Sequence, residues 1–229
     1  MIVFAPHPDD ETLGCGGTIA KRITEGYDVI IVVMTDGRHA FSKLFRIKSD
    51  PSPDEMLQMR RTEMINAAKI LGVPKENIHF LGIEDGRIAN NAKRIETKVS
   101  EILNEFKPVE IYFPYEGDFH RDHQVASRIL QECVNKLSFS VKGYQYSVGQ
   151  RFSRIRMQYA KLLTRFKDNL TYVDVSKYLP QKAAAINEYK SQTSILCDGQ
   201  KRPVIKNISK YLKMYETFWT FTPIEARNN

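Results

Sequence analysis

At 229 residues, 42% hydrophobic and 27% charged, the chain can bury a core of its own, which excludes a disordered tail or a disulfide-stapled miniprotein. Its longest apolar run near the start, Val29–Met34, is far shorter than the ~20 residues a bilayer span needs. The net charge of +7 is uneven: residues 1–139 hold 18 Lys/Arg against 21 Asp/Glu, whereas residues 140–215 hold 15 against 4.

Ile2–Ala5 reads as a short buried strand stopped by Pro6. Glu11–Glu25 follows as a helix with Leu13, Ile19, Ala20 and Ile23 on one face, its start crowded by Asp9, Asp10 and Glu11. Acidic residues suit that end because the helix dipole is positive there. Val29–Met34 is continuous and β-branched, the pattern of a strand buried on both faces. Residues 54–72 predict a second helix, ended by Gly72-Val73-Pro74, and Ile78–Leu81 another strand. Ala92–Phe106 reads as helix, Val109–Phe113 as strand, and residues 121–136 as helix. This alternation predicts a Rossmann-like α/β fold in three layers, α/β/α, around a mostly parallel sheet.

Beyond residue 140 the alternation loosens. Residues 151–167 form a basic amphipathic segment in which Phe152, Ile155, Tyr159, Leu162, Leu163 and Phe166 alternate with Arg and Lys. It reads as an excursion packed on the domain, or as a contact for a membrane surface or an anionic substrate. Residues 177–192 and 204–217 read as two further helices, and Tyr215, Phe218, Trp219 and Phe221 as aromatic cover for the domain edge. No linker separates this third, so the expectation is one domain over 1–229, with 140–229 a basic elaboration.

Two clusters carry chemistry. Ala5-Pro6-His7-Pro8-Asp9-Asp10-Glu11 packs an imidazole and three carboxylates into the turn after the first strand. Burying that much acid is costly unless a cation neutralises it, and His with Asp suits a divalent metal such as zinc. Asp118-Phe119-His120-Arg121-Asp122-His123 follows the Val109–Phe113 strand, with two His at i, i+3 spacing. In open parallel sheets ligands bind beyond the carboxyl ends of the strands, where both clusters fall.

The HPDDE turn followed by HxDH resembles the LmbE-like/PIG-L family of zinc-dependent N-acetylglucosaminyl deacetylases. Arg60-Arg61-Thr62-Glu63 with Ala67 and Leu71-Gly72, Thr35-Asp36-Gly37, Asp85-Gly86, and Lys182 through Tyr189-Lys190-Ser191-Gln192 extend the resemblance to about residue 192. The resemblance implies an LmbE-like fold and metal-dependent hydrolysis of an N-acetyl group on an amino sugar. It implies zinc, or iron(II) in the cell, held by His7, Asp10 and His123. Asp9 becomes the general base, His120 the proton donor to the leaving amine, and Asp122 the residue that orients His120. Arg60 and Asp85 become contacts for sugar hydroxyls. Tyr189 stands where the family can have His, so no role carries over to it.

Rival readings stay beside this one: a non-catalytic metal- or glycan-binding module, or a deacylase of another N-acyl small molecule. Leu13-Gly14-Cys15-Gly16-Gly17 looks like a cofactor-binding glycine turn but falls inside the first helix, where glycines serve close packing. The basic third lacks any nucleic-acid reader motif, so the expected partner is a small amino-sugar substrate, anionic or lipid-linked, with at most peripheral membrane contact and no nucleic acid. A homo-oligomer stays open. Cys15, Cys133 and Cys197 are odd in number and widely spaced, and no basic stretch precedes an apolar leader, so the expected compartment is the cytoplasm.

Overall fold

The computed structural model describes residues 1–148 and 170–223. The basic segment 151–167 therefore lies outside the described residues. Strands β1 (Ile2–Ala5), β2 (Ile30–Thr35), β3 (Ile78–Ile83), β4 (Glu110–Pro114), β5 (Lys142–Tyr146), β6 (Leu170–Asp174) and β7 (Tyr215–Phe221) form one sheet in the order β3-β2-β1-β4-β5-β7-β6. The first five strands pair in parallel, and β7 runs antiparallel to both β5 and β6. The mostly parallel α/β/α architecture is the one the alternating pattern predicts.

Both faces of the central strands are covered. Along β1 and the residues flanking it, Met1 and Val3 enter one apolar cluster while Ile2 and Phe4 enter the other. Val29, Ile31 and Val33 likewise separate from Ile30, Val32 and Met34. Side chains alternate across a strand, so a continuous β-branched run becomes two cores at once.

One face is closed by α1 (Asp10–Thr24), α3 (Pro53–Ile70) and α6 (Leu179–Glu188). The other is closed by α4 (Ala92–Phe106) and α5 (Arg121–Asn135), which contribute Ile95, Val99, Leu103, Ala126 and Leu130. Helix α3 starts sharply because Ser52 and Glu55 form a capping box and Pro53 needs no N–H partner. A short α2 (Ala40–Leu44) lies between β2 and α3.

The C-terminal third departs from expectation. Residues 204–217 do not form a helix: they hold one short turn, Ile208–Lys210, and the start of β7. Buried Glu216 and Phe218 alternate with less buried neighbours, a strand period that the apolar residues alone had disguised as helical. The predicted helix 177–192 breaks at Tyr189 into α6 and the single turn α7 (Lys190–Thr193). Among the described residues no helix is long and apolar enough to cross a membrane.

Candidate active site

Chain direction across the sheet reverses between β1 and β4, and the crevice beyond their carboxyl ends is where such folds bind ligands. The β1–α1 turn supplies His7, Asp9 and Asp10, and the β4–α5 turn supplies Asp118, His120, Asp122 and His123. A cavity of about 540 Å³ opens over them.

Three donor atoms converge. His7 Nδ1 lies 3.2 Å from Asp10 Oδ2, His123 Nε2 lies 3.2 Å from the same oxygen, and the two ring nitrogens are 3.3 Å apart. Around a tetrahedral ion with bonds of about 2.0–2.2 Å, neighbouring donors stand about 3.3–3.6 Å apart. The triangle matches one face of that tetrahedron, so these residues fit a divalent metal with an open side toward the cavity. Two overlapping trios, His7/His120/His123 and His7/Asp85/Asp122, also bring ligand atoms within 4.8 Å of one another. Neither offers the short triangle.

The outer nitrogens of both rings face carboxylates. His7 Nε2 lies 3.3 Å from Asp122 Oδ2, and His123 Nδ1 lies 3.3 Å from Asp118 Oδ2, close enough for an ion pair though misaligned for a hydrogen bond. Carboxylates behind ligating imidazoles fix ring orientation and raise basicity. Burial lowers the pKa of His7, but Asp10 and Asp122 reverse this and carry it up to about 9. Burial likewise opposes protonation of His123, and Asp10 and Asp118 raise it to about 10. Such basic nitrogens are strong donors once deprotonated.

Asp9 points away from the triangle. Its backbone sits at φ 130°, a strained conformation for a residue with a Cβ, and its side chain makes no helix cap. Instead Asp9 Oδ2 lies 3.1 Å from Arg60 Nη2, which also donates to the Pro8 carbonyl. Burial raises the Asp9 carboxyl to about 7, against the lowering effect of the Arg60 guanidinium. Glu11 steadies the turn from within: its Oε2 accepts the Asp9 N–H at 3.2 Å, and its Oε1 accepts the Tyr189 hydroxyl at 2.5 Å.

The expected site residues do gather here, but two of them have other neighbours than expected. Asp122 faces His7 rather than His120: it lies in the first turn of α5, where the Gly86 N–H, at 2.9 Å, holds its carboxylate toward the β1 turn. Arg60 is buried and lines the cavity too, and its Nη2 is engaged by Asp9 and the Pro8 carbonyl. Asp85 lines the cavity, accepts Lys43 Nζ at 3.0 Å and lies 3.7 Å from His7 Nε2. His120 stands exposed on the cavity wall, its ring 4.7 Å from that of His7. Desolvation and the nearby His7 and His123 lower its pKa. Sequence reasoning quoted Asp118 without giving it a role, although an acid five residues before His123 in one turn was its signal.

The profile of the PIG-L family, GlcNAc-PI de-N-acetylase, matches residues 2–134. The chain belongs to the PIG-L family. This member is 27% identical over 245 residues to the 1D-myo-inositol 2-acetamido-2-deoxy-alpha-D-glucopyranoside deacetylase of Mycobacterium sp. (strain KMS), covering 91% of the chain and 79% of that protein. Its fold is similar to N,N'-diacetylchitobiose deacetylase from Pyrococcus horikoshii, with a TM-score of 0.70 at 21% identity over 96% of this chain and 82% of that one. It is equally similar to the 4-carboxy-2-hydroxymuconate hydratase of Pseudomonas putida KT2440, with a TM-score of 0.72 at 18% identity over 97% and 95%. A deacetylase and a hydratase share this fold, so the reaction of this PIG-L member has to be argued from its site.

Proposed function

We propose that this PIG-L family member hydrolyses the N-acetyl group of an N-acetylglucosamine-type conjugate to give acetate and a free amine. The observation that carries this reading is the His7–Asp10–His123 triangle, with contacts of 3.2–3.3 Å, opening onto a cavity that Asp9 and His120 also line. The deacetylases among its relatives support the reaction class. We take residues 1–229 as one catalytic unit, because residues after Gln192 line the same cavity.

Two imidazoles and one carboxylate suit zinc, with iron(II) the alternative. When bound, the ion polarises the amide carbonyl and lowers the pKa of water. His7, Asp10 and His123 would hold it, with Asp122 and Asp118 orienting the two rings. Asp9, turned aside by its backbone, accepts the proton of the attacking water. Arg60 favours the ionised form of that carboxylate and aims it, beside the sugar contact expected of it. His120, exposed on the cavity wall beside His7, delivers a proton to the departing nitrogen. Asp85 stays the contact for a sugar hydroxyl.

One preparation tests the scheme: zinc and iron per chain, and amine release from N-acetylglucosamine derivatives, for the native protein, Asp9→Ala and His123→Ala. The expected outcome is about one metal per chain in the first two. Asp9→Ala should lose at least ~100-fold in turnover, and His123→Ala should lose metal and activity together. A folded protein unable to take up metal would overturn the reading.

A further inference from the structure

Amide hydrolysis in the cavity leaves two fully buried polar side chains without a task, Glu11 and Tyr189. They meet each other: the Tyr189 hydroxyl donates to Glu11 Oε1 at 2.5 Å, across 178 positions of the chain. Thr12 donates its hydroxyl to the same oxygen, and Glu11 Oε2 accepts the Asp9 N–H at 3.2 Å. The Glu11 carboxylate is therefore a bridge between Tyr189 and the backbone of Asp9.

That backbone needs holding. Asp9 stands at φ 130°, and a strained residue persists only where its surroundings over-determine it. The Asp9 carbonyl accepts the Leu13 N–H at 2.9 Å, and its carboxylate lies 3.1 Å from Arg60 Nη2. Its N–H depends on Glu11. Thr12 belongs to α1 and moves with the turn, so it cannot anchor Glu11 against that turn. Tyr189 can, because it comes from the break between α6 and α7. Its carbonyl accepts the Gln192 and Thr193 N–H groups at 2.8 and 2.9 Å, and Ser191 is clamped onto Glu63 of α3 at 2.7 and 2.6 Å. Without the hydroxyl, a buried carboxylate loses the donor that is fixed from outside α1 and can turn away from Asp9.

We propose that Tyr189 is a positioning residue for the reaction: through Glu11 its hydroxyl holds the Asp9 backbone, and with it the Asp9 carboxylate, in the orientation that accepts a proton from the attacking water. The inference rests on the deacetylase reading, which makes Asp9 the base. Tyr189 is fully buried and does not line the cavity, so it acts through Glu11 and not on the substrate.

The test measures amine release from N-acetylglucosaminides, metal per chain and thermal unfolding for the metal-loaded native protein, Tyr189→Phe, Asp9→Ala and the double variant. Tyr189→Phe keeps the ring and removes the hydroxyl. Its kcat should fall about tenfold, the order of loss that a small misplacement of a catalytic group brings, while KM and metal content stay native. In the Asp9→Ala background the same substitution should change the residual rate by less than about twofold, because a residue that acts through Asp9 has nothing left to position. Glu11→Gln puts an amide at the bridge and should give the same pattern, which decides the matter if Tyr189→Phe does not fold. Native kcat in folded Tyr189→Phe, loss of metal together with the hydroxyl, or an equal loss of rate in both backgrounds would overturn the inference. A metal-loaded native protein that releases no amine would instead overturn the deacetylase reading, and the inference that rests on it.

Discussion

Asp9 shows how one residue's surroundings set its chemistry. It adjoins Asp10 in sequence, yet its φ of 130° sends its carboxylate to Arg60 rather than to the His7–Asp10–His123 triangle. A positive neighbour favours the ionised form, so removing Arg60 must raise the Asp9 pKa. Activity that needs ionised Asp9 then fails at a higher pH. Arg60→Ala is therefore expected to move the acidic limb of the kcat profile upward by about a unit, whereas an Arg60 serving only to bind sugar would raise KM and leave that limb in place. Asp118 and Asp122 each stand behind one imidazole, 3.3 Å from His123 Nδ1 and His7 Nε2. Asp118→Asn or Asp122→Asn should weaken metal affinity by about 10–100-fold, read by competition with a chelator. His7, Asp10 and His123 were legible because short motifs displayed them. The partners of Arg60 and Asp122 were not, because which way a side chain turns across 52 or 115 positions is set by packing.

At the scale of elements, α1 explains the glycine run that imitates a cofactor turn. Gly14 faces the Tyr146 ring, and a Cβ on Gly17 would come within 2.6 Å of the Val175 Cβ. Helix α1 thus lies flush against its neighbours, and the glycines serve packing. Gly17→Ala should cost about 1–3 kcal/mol of stability, seen as an earlier denaturation midpoint with an unchanged m-value. The R-x-x-E and S-Q motifs also find their meaning between elements. Glu63 on α3 accepts the Ser191 N–H at 2.7 Å and its hydroxyl at 2.6 Å, so two distant motifs are halves of one clamp. Strand β7 escaped recognition for a different reason. Its buried Glu216 looked like a surface residue, and that erased the alternation by which a strand announces itself.

Across the whole molecule, Glu216 joins the C-terminal third to the catalytic half. Its carboxylate accepts Lys182 Nζ at 2.6 Å, the Gly17 N–H at 2.8 Å, and the Thr18 N–H and hydroxyl at 2.7 and 2.6 Å. Lys182 Nζ also donates to the Leu13 carbonyl at 3.0 Å. Removing one charge leaves the other buried, so Lys182→Met should cost about 3 kcal/mol in thermal unfolding. Lys182→Met combined with Glu216→Gln should recover part of that loss, because no uncompensated charge then remains. The sequence by itself determined the parallel α/β core and the two His/Asp clusters beyond its strand ends, since strand periodicity and neighbouring side chains are local properties of the chain. Only the tertiary structure decided that β7 joins β5 and β6 in the sheet, that Asp122 stands beside His7 and that Arg60 stands beside Asp9. Those pairings join residues far apart in the chain, and the contacts that select them exist only after the layers have packed.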